Sequence, residues 1–316
     1  MKLLITGGTG FFGRALLRSW LRDEVCGLSV PEVTIVTRSP ISFVERYPEF
    51  SSKSWLTLHK SNILDYESLP VDDFFTHILH AATESTVGPS LPALQRYDEV
   101  VNGTRNILDY TVKNNVKRVL LTSSGGVYGP QPETLEEIPE SYLGIPDPLD
   151  PMSAYSMAKR ASEHLCCLYN DRYGVESVVA RCFAFVGPDL PLSAHFAIGN
   201  FIQDALYNNE INVAGDGTPV RSYMNQADLA DWLVCILNKG IAGRAYNVGS
   251  DHSISISNLA HLVRDILSPN KPVVFRNGDG GFQDRNVYIP DITRAKRELG
   301  LSINISLSQS IQQFLD

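Results

Sequence analysis

KLLITGGTGFFG, residues 2–13, organises the rest of the chain: a short apolar run leads into a glycine-rich turn, and a helical pattern follows. Gly7, Gly10 and Gly13 have the spacing Gly-x-x-Gly-x-x-Gly. Glycines at these places permit a tight turn, a close approach of the backbone to a pyrophosphate, and close helix–strand contact. The helix N-terminus then faces the phosphates with amide groups and a partial positive charge. We therefore predict a dinucleotide-binding turn that includes Phe11 and Phe12; the alternative is a plain strand–helix turn.

Strands and helices alternate along the chain. Apolar runs predict strands at 33–36, 55–58, 77–82, 116–122, 176–181 and 245–248, and helical patterns predict long helices at 94–112 and 153–173. This alternation predicts an α/β fold with a doubly wound (Rossmann-type), mostly parallel sheet and a smaller C-terminal lobe. We assign residues 1–181, with 222–256 returning, to a dinucleotide-binding domain, and residues 182–221 and 257–316 to a substrate-binding lobe.

Net charge and cysteine usage bear on the class of function. The 316 residues carry a formal net charge of −8 and no block of lysines and arginines, so we expect no nucleic-acid partner. The 5 cysteines show no metal-ligand spacing, and we predict no metal site. Their odd number, without a secretory signal, indicates a reducing cytoplasm. No apolar segment approaches the length of a membrane span, so no membrane association is expected.

Tyr155 and Lys159 lie four residues apart in the helix predicted after Pro151, with Ser153 as its N-cap. At this spacing the two side chains lie on one face of the helix. A neighbouring ammonium favours the phenolate and lowers the pKa of a phenol, which can then exchange a proton near neutral pH. A surface pair is the alternative, because the pattern Tyr-x-x-x-Lys also occurs in helices without any catalytic role.

The end of the second strand bears on the choice of dinucleotide. Arg38 and Ser39 follow that strand, and no acidic residue stands there to bind a ribose 2′-hydroxyl. A guanidinium can pair with a 2′-phosphate through its planar fork, and a serine adds a hydroxyl. These residues favour NADP(H) over NAD(H) as the cofactor. The alternative for Arg38 is an exposed arginine at a strand end.

The glycine turn, Ser124 and the Tyr155–Lys159 pair occur in an order that resembles the extended short-chain dehydrogenase/reductase family, in its nucleotide-sugar epimerase/dehydratase branch. The resemblance implies that Tyr155 is the acid/base, that Lys159 binds the nicotinamide ribose, and that Ser124 hydrogen-bonds the reacting sugar oxygen. It also implies a homodimer that pairs the helices at 94–112 and 153–173. The further contacts that it implies are Asn62, Ile63, Ala81, Ala82, Thr83 and Ser123 for the cofactor, and Ser85, Arg221 and Arg285 for a nucleotide-diphosphate sugar.

Gly125 and Gly126 separate this chain from the sugar 4,6-dehydratases, which resemble it but carry Asp-Glu after the Ser/Thr. Glycine cannot exchange the proton that dehydration removes from C5. Together with Arg38 and Ser39, this favours a 4-ketoreductase that consumes NADPH on a nucleotide 4-keto-6-deoxyhexose. A 4-epimerase that keeps NAD is the first alternative and a 4,6-dehydratase the second. A non-catalytic dinucleotide sensor is disfavoured, because the tyrosine–lysine pair is intact.

Overall fold

The computed structural model describes residues 1–22, 25, 27, 29–71, 74–83, 91–192, 196–276 and 287–315. The described strands are β1 (Lys2–Thr6), β2 (Glu32–Thr37), β3 (Leu56–Lys60), β4 (His77–His80), β5 (Arg118–Ser124), β6 (Glu176–Cys182), β7 (Phe185–Val186), β8 (Ile211–Ala214), β9 (Val220–Ser222), β10 (Met224–Asn225), β11 (Ala245–Val248), β12 (Ser253–Ser255), β13 (Val273–Arg276) and β14 (Val287–Tyr288). The described helices are α1 (Phe11–Leu21), α2 (Pro40–Arg46), α3 (Ala93–Lys113), α4 (Ala154–Tyr173), α5 (Ala197–Tyr207), α6 (Gln226–Lys239), α7 (Ile256–Leu267), α8 (Thr293–Leu299) and α9 (Leu307–Gln312). Within these ranges, no helix combines the length and the apolar composition that crossing a membrane requires.

Seven strands form one sheet in the order β11-β6-β5-β4-β1-β2-β3. Parallel pairing joins β3 to β2, β2 to β1, β1 to β4 and β4 to β5. The register brings Thr6 of β1 beside Val36 of β2 on one side and His80 of β4 on the other. The strand order reverses at β1 and β4, and open α/β sheets bind ligands at such a reversal, beyond the carboxyl ends of the strands. The predicted doubly wound, Rossmann-type α/β fold is confirmed.

The central strands consist of apolar residues because both of their faces are covered. Leu3, Leu4 and Ile5 of β1 are fully buried, and so are Ile78 and Leu79 of β4. A parallel sheet carries helices on its two faces, so its strands are continuous apolar runs without the alternation of a half-exposed strand.

The two long helices expected to pair in a dimer pack into the core of their own unit. Ile107 of α3 and Leu165 and Tyr169 of α4 belong to one buried cluster. On the same helices, Leu94 is 74% exposed and Leu168 is 47% exposed. These exposed side chains are available for a contact with a second copy, and the homodimer stays a prediction.

The turn between β1 and α1 brings two stretches of backbone together. Gly7 has a left-handed backbone conformation with φ +74°, and a Cβ on it would lie 2.6 Å from the carbonyl atoms of Ala81, just after β4. A Cβ on Gly13 would lie 2.0 Å from the carbonyl oxygen of Gly8. Neither position has room for a side chain, so the turn stays bare and lies close to the end of β4.

The start of α4 differs from the sequence-based expectation. Ser153 has helical backbone angles, and its side chain makes no capping hydrogen bond. A 3₁₀ turn over Pro151–Ser153 precedes the helix, and the Asp150 carboxylate caps it by accepting the Met152 N–H at 2.9 Å. Proline suits the first position of a helical turn because its φ is fixed and its missing N–H needs no partner, so the cap falls one residue before it. Ser153 stands at the predicted N-cap position, directly before Ala154, but without the capping hydrogen bond.

A buried ion pair ties the end of β5 to α4 and β6. The Glu163 carboxylate of α4 accepts the Ser123 hydroxyl of β5 at 2.5 Å and a guanidinium N–H of Arg181 in β6 at 2.7 Å. The side chains of Glu163 and Arg181 are 12% and 16% exposed. Charges removed from water to this degree need each other and further hydrogen bonds, so the three groups fix α4 against the sheet.

The chain divides into two compact units, residues 1–127, 146–181 and 230–246 in the first and residues 128–145, 182–229 and 247–316 in the second. In the second, β9 pairs with β12 and β14, and β8 pairs with β13. Residues 128–145 join this unit because Ile138 bridges to Pro290 and the Gln131 side chain accepts the Ile289 N–H at 3.0 Å. The predicted boundaries place residues 128–145, 222–229 and 247–256 with the first domain instead. The roles of the two units stay predictions.

Gly7→Ala should lower the free energy of unfolding more than Gly243→Ala. Both glycines have left-handed angles, φ +74° and φ +77°, so both variants carry a similar conformational penalty. The new Cβ at Gly7 would meet the backbone of Ala81 at 2.6 Å, whereas no described atom lies within 4 Å of the position at Gly243. The collision should add about 1–3 kcal/mol to the loss, measured by urea unfolding of the two variants. Equal losses would mean that the turn can move away from Ala81.

Glu163→Gln should destabilise the protein more than Glu49→Gln. The first substitution leaves the buried Arg181 without its counter-charge, which costs about 3–5 kcal/mol in a fully buried pair and somewhat less here. The second removes the pair of Arg18 and Glu49, whose side chains are 31% and 36% exposed and whose attraction contributes about 0–1 kcal/mol. Thermal unfolding checks the difference. Similar losses in the two variants would show that the ion pair does not fix α4.

Candidate active site

The ammonium of Lys159 lies among the residues that the sequence singles out. Lys159 is buried, at 3% exposure, and its Nζ donates to Thr83 Oγ1 at 2.7 Å and to the Thr122 carbonyl at 2.8 Å. Thr83 follows β4 and Thr122 lies in β5, so one side chain of α4 connects the ends of two neighbouring strands. A buried charge needs such hydrogen bonds to replace its hydration.

Tyr155 lies one turn before Lys159 on α4, and its half-buried ring contacts two cations. Lys159 Nζ is 5.8 Å from the ring centroid, and the guanidinium carbon of Arg96 on α3 is 4.4 Å from it. A cation near an aromatic face is attracted by the ring, and a nearby positive charge favours the phenolate over the phenol. The arrangement suits a tyrosine that loses and regains a proton.

His80 of β4 connects β1 to the two long helices through buried hydrogen bonds. Its Nδ1 is 2.6 Å from Thr6 Oγ1, its Nε2 is 3.2 Å from Thr104 Oγ1, and the Thr104 hydroxyl is 3.0 Å from Ser162 Oγ. Burial, with a smaller effect from Lys159, lowers the pKa of His80 to about 3, so the imidazole is neutral. Because this pKa lies below the ordinary value, its contribution to stability is lost as the pH falls from about 6.5 toward 3.

Two serine hydroxyls flank Gly126 at the end of β5. Ser124 Oγ accepts the Gly126 N–H at 3.0 Å. A Cβ on Gly126 would lie 2.6 Å from Ser156 Oγ of α4 and 3.2 Å from Ser124 Oγ. A side chain at this position would therefore require the Ser156 hydroxyl to turn away. Where the dehydratase pattern has an acid, this chain presents two neutral hydroxyls.

The turn at Gly7, Gly10 and Gly13 fits a dinucleotide pyrophosphate. The Gly10 N–H closes the turn on the Gly7 carbonyl at 3.0 Å, and the crowding at Gly7 and Gly13 keeps side chains out. α1 begins directly after Gly10 with Phe11 and Phe12, and no acidic residue stands in its first turn. The positive end of the helix is thus left without a carboxylate that would compete with a phosphate.

Ala81, Ala82 and Thr83 extend beyond β4 at the reversal of the strand order. Their side chains are small and half-buried, which leaves room for a cofactor over the strand ends. Ser123 differs, since its hydroxyl is buried and donates to Glu163. The predicted contact of Ser123 with the cofactor would therefore have to be made by its backbone atoms.

Four more predicted cofactor residues follow β2 and β3, the two strands at one edge of the sheet. Arg38 and Ser39 are exposed at the carboxyl end of β2, which pairs with β1. Asn62 and Ile63 come after β3, and the Asn62 side chain accepts the Leu64 N–H at 3.1 Å in a tight local turn. All four lie beyond the carboxyl ends of their strands, and their contacts with a cofactor stay predictions.

The predicted substrate residues are placed only in part. Arg221 lies in β9 of the second unit, half-buried, and its guanidinium donates to the Val220 carbonyl at 2.8 Å. Ser85 and Arg285 lie outside the described residues. Binding of a diphosphate by the two arginines stays a prediction.

The sequence analysis missed Arg96, Glu163 and Ser156. Glu163 follows Lys159 by four residues and Ser156 follows Tyr155 directly, so the helical spacing contained a signal for both. Arg96 lies on a different helix, and no spacing along the chain connects it with Tyr155. Only the packing of α3 against α4 brings the two together.

Comparisons of the sequence agree with this geometry. The profile of the NAD dependent epimerase/dehydratase family matches residues 3–249. UDP-glucuronic acid decarboxylase 1 of Arabidopsis thaliana is 28% identical over 321 residues, which cover 100% of this chain and 69% of that protein. UDP-glucuronic acid decarboxylase 3 of the same plant is 27% identical over 317 residues, which cover 98% of this chain and 87% of that protein.

Solved structures are similar over the whole chain. The dTDP-glucose 4,6-dehydratase DesIV of Streptomyces venezuelae, solved with NAD, has a TM-score of 0.84 at 25% identity and covers 100% of this chain and 96% of its own. The UDP-glucose 4-epimerase of Thermotoga maritima shares the fold with a TM-score of 0.83 at 23% identity, over 100% of this chain and 97% of its own. The predicted family and the prediction of an enzyme are confirmed, and the chain belongs to the NAD dependent epimerase/dehydratase family.

Proposed function

We propose that this enzyme acts at C4 of a hexose carried on a nucleotide diphosphate, and specifically that it reduces the keto group of a nucleotide 4-keto-6-deoxyhexose with NADPH. The observation that carries the proposal is Tyr155 beside the buried Lys159 at the strand ends, with no acidic side chain at Gly125 or Gly126. The relatives named above, with UDP-glucuronic acid, dTDP-glucose and UDP-glucose in their names, support a nucleotide-diphosphate hexose as the substrate class.

The residues of the first unit can carry out the proton transfer that the reduction needs. A nicotinamide dinucleotide bound at the glycine turn supplies the hydride for C4. Ser124 and Tyr155 hydrogen-bond the C4 oxygen, and Tyr155 gives its proton to that oxygen as negative charge develops. Lys159, held by Thr83 and Thr122, keeps positive charge next to the phenol. Orientation is decisive, because the reacting atoms must be held about 3–3.5 Å apart.

The glycine pair distinguishes among reactions that begin or end at C4. Eliminating water across C5 and C6 requires a base for the C5 proton, and neither Gly125 nor Gly126 has a side chain to take it. Ser156 Oγ lies beside Gly126, but a serine hydroxyl without an adjacent base does not abstract such a proton at neutral pH. A reduction at C4 requires no base at C5, so the absence of acids supports a reductase over a dehydratase.

A reaction that takes the hydride from C4 and then returns it is the second candidate. The DesIV structure contains NAD, and the Arabidopsis relatives are named as decarboxylases. An epimerase returns the hydride to the opposite face of the sugar. A decarboxylase relies on the ease with which a 4-keto uronic acid loses CO₂, a step that also needs no base at C5. Both reactions are therefore compatible with Gly125 and Gly126.

The reductase proposal predicts consumption of NADPH. With a nucleotide 4-keto-6-deoxyhexose, the absorbance of the reduced cofactor should fall in step with formation of the reduced sugar. Tyr155→Phe should lower turnover by roughly 10²–10⁴-fold, the usual contribution of a general acid. Cofactor binding should persist in this variant, since only one hydroxyl is removed. Retention of most of the activity would remove Tyr155 from the mechanism.

Parallel reactions with nucleotide sugars that carry a hydroxyl group at C4 identify the competing activities. UDP-, dTDP-, CDP- and GDP-hexoses and UDP-glucuronic acid are supplied without added cofactor. Isomerisation at C4 with no consumption of NADPH would establish an epimerase, and release of CO₂ a decarboxylase. Accumulation of a 4-keto-6-deoxy sugar from a plain hexose would establish a dehydratase and overturn the interpretation of Gly125 and Gly126.

Arg38→Ala should weaken NADPH binding far more than NADH binding if Arg38 pairs with the 2′-phosphate. Losing a charge-assisted hydrogen bond costs about 1.5–3 kcal/mol, which is roughly a tenfold to hundredfold weaker Kd. Arg46→Ala removes an equal charge from the exposed face of the next helix and serves as the control. Equal effects on the two dinucleotides in titration calorimetry, or none, would leave Arg38 as a surface residue and remove it as a reason to favour NADP(H).

A further inference from the structure

Arg96 occupies a place where a cation is electrostatically unfavourable unless something compensates it. It lies in the first turn of α3, where the helix dipole disfavours positive charge, and no acidic residue stands in that turn. Its side chain is partly buried, and its Nε is buried without a hydrogen-bond partner among the residues that the structure describes. The contact that the structure gives the guanidinium is the ring of Tyr155, at 4.4 Å.

Among the described residues, two helices place cations against the ring of Tyr155. Arg96 faces the ring from α3, and Lys159 faces it from α4 itself. His80 of β4 is neutral, and Asp150, before α4, is engaged with the Met152 N–H. Burial lowers the pKa of the Arg96 guanidinium, and its interaction with Tyr155 works in the opposite direction. The attraction between the guanidinium and an ionised phenol is mutual. To the extent that it raises the pKa of Arg96, it therefore lowers the pKa of the phenol.

We propose that Arg96 is a positioning residue for Tyr155. The Arg96 guanidinium reaches the Tyr155 ring from α3 and stabilises the phenolate. The proposal rests on the proposed function only in taking Tyr155 as the proton-exchanging group. Arg96 can be substituted with less risk to the fold than Lys159, and this makes its role testable. Lys159 also connects the ends of β4 and β5, whereas the described contacts give Arg96 no such structural task.

Ionisation of Tyr155 can be measured without any substrate. Protein labelled with ¹³C at the tyrosine ring carbon that bears the hydroxyl is titrated by NMR, and Tyr155→Phe identifies the signal. A neighbouring opposite charge within about 4–6 Å lowers the pKa of an acid by roughly 1–3 units, and partial exposure places Arg96 at the lower end. Arg96→Met should therefore move the midpoint of Tyr155 upward by about 1 pH unit, a roughly tenfold lower ionised fraction at a given pH.

Three further variants distinguish an effect of charge from an effect of structure. Arg96→Lys keeps the cation and should restore most of the midpoint, whereas Arg96→Gln should behave like Arg96→Met. Arg105→Met removes an equal charge from an exposed position on the same helix and should leave the midpoint unchanged. An unchanged midpoint in both neutral variants of Arg96 would overturn the proposal, and so would an equal shift in Arg96→Lys.

The failure of this proposal can be told apart from failure of the reductase assignment. In a reductase the protonated phenol is the active form, and the pH profile of kcat/KM reports the pKa of the free enzyme. The alkaline limb of that profile should therefore move upward in Arg96→Met by the same amount as the NMR midpoint. A shifted midpoint in a protein that reduces no keto sugar would support the role of Arg96 and reject the reductase. An active reductase with an unshifted midpoint would support the reductase assignment and reject the role of Arg96.

Discussion

The fold and the site depend on one constraint, the burial of the Lys159 ammonium between the ends of β4 and β5. A charge at 3% exposure is stable only because oxygen atoms of Thr83 and Thr122 replace its hydration. α4 is thereby held against the sheet, and the positions one turn to either side are fixed with it. Tyr155 lies one turn earlier against the cations, and Glu163 one turn later in the pair with Arg181. The helix is thus attached at three successive turns along one face.

A second set of contacts fixes the neighbouring strands, and it contains no charge. Gly7 and Ala81 meet backbone to backbone, and the hydroxyl of Thr6 bonds to the neutral His80 beneath them. The glycine is required there by both its left-handed angles and the lack of space. This explains why the stretch at residues 2–13 was sufficient to predict the β1–α1 turn, whereas the chemistry had to be inferred from α4. A local backbone turn requires particular residues, such as glycine, at fixed spacing and can be predicted from the sequence. Packing between distant helices requires no such pattern.

The strands and helices that show a regular pattern of apolar residues were predicted from the sequence. Contacts that depend on packing between distant elements were missed. β1 and β11 were predicted with their observed bounds, because each is an apolar run that ends in a turn. The short strands β12 and β14 were missed, since two or three residues show no period. The assignment of residues 128–145 to the first domain failed to anticipate Ile138 pairing with Pro290, a partner far along the chain. Within the site, the pairing of Tyr155 with Lys159 was predicted from helical spacing. The contact of Arg96 with Tyr155 could not be predicted in this way.

Arg96 and the glycine pair would act on different parts of the proposed chemistry. Reduction, epimerisation, dehydration and decarboxylation of a nucleotide sugar all exchange a proton with the oxygen on C4, and this shared step is the one proposed for Tyr155. In the role proposed for it, Arg96 would change the proton affinity of the group that all four reactions use and would not select among them. Gly125 and Gly126 act only where the reactions diverge, at C5 and C6, by withholding a base. On this proposal the choice among the reactions comes from other residues, and the cation beside the phenol would change the pH at which the enzyme works without changing its product.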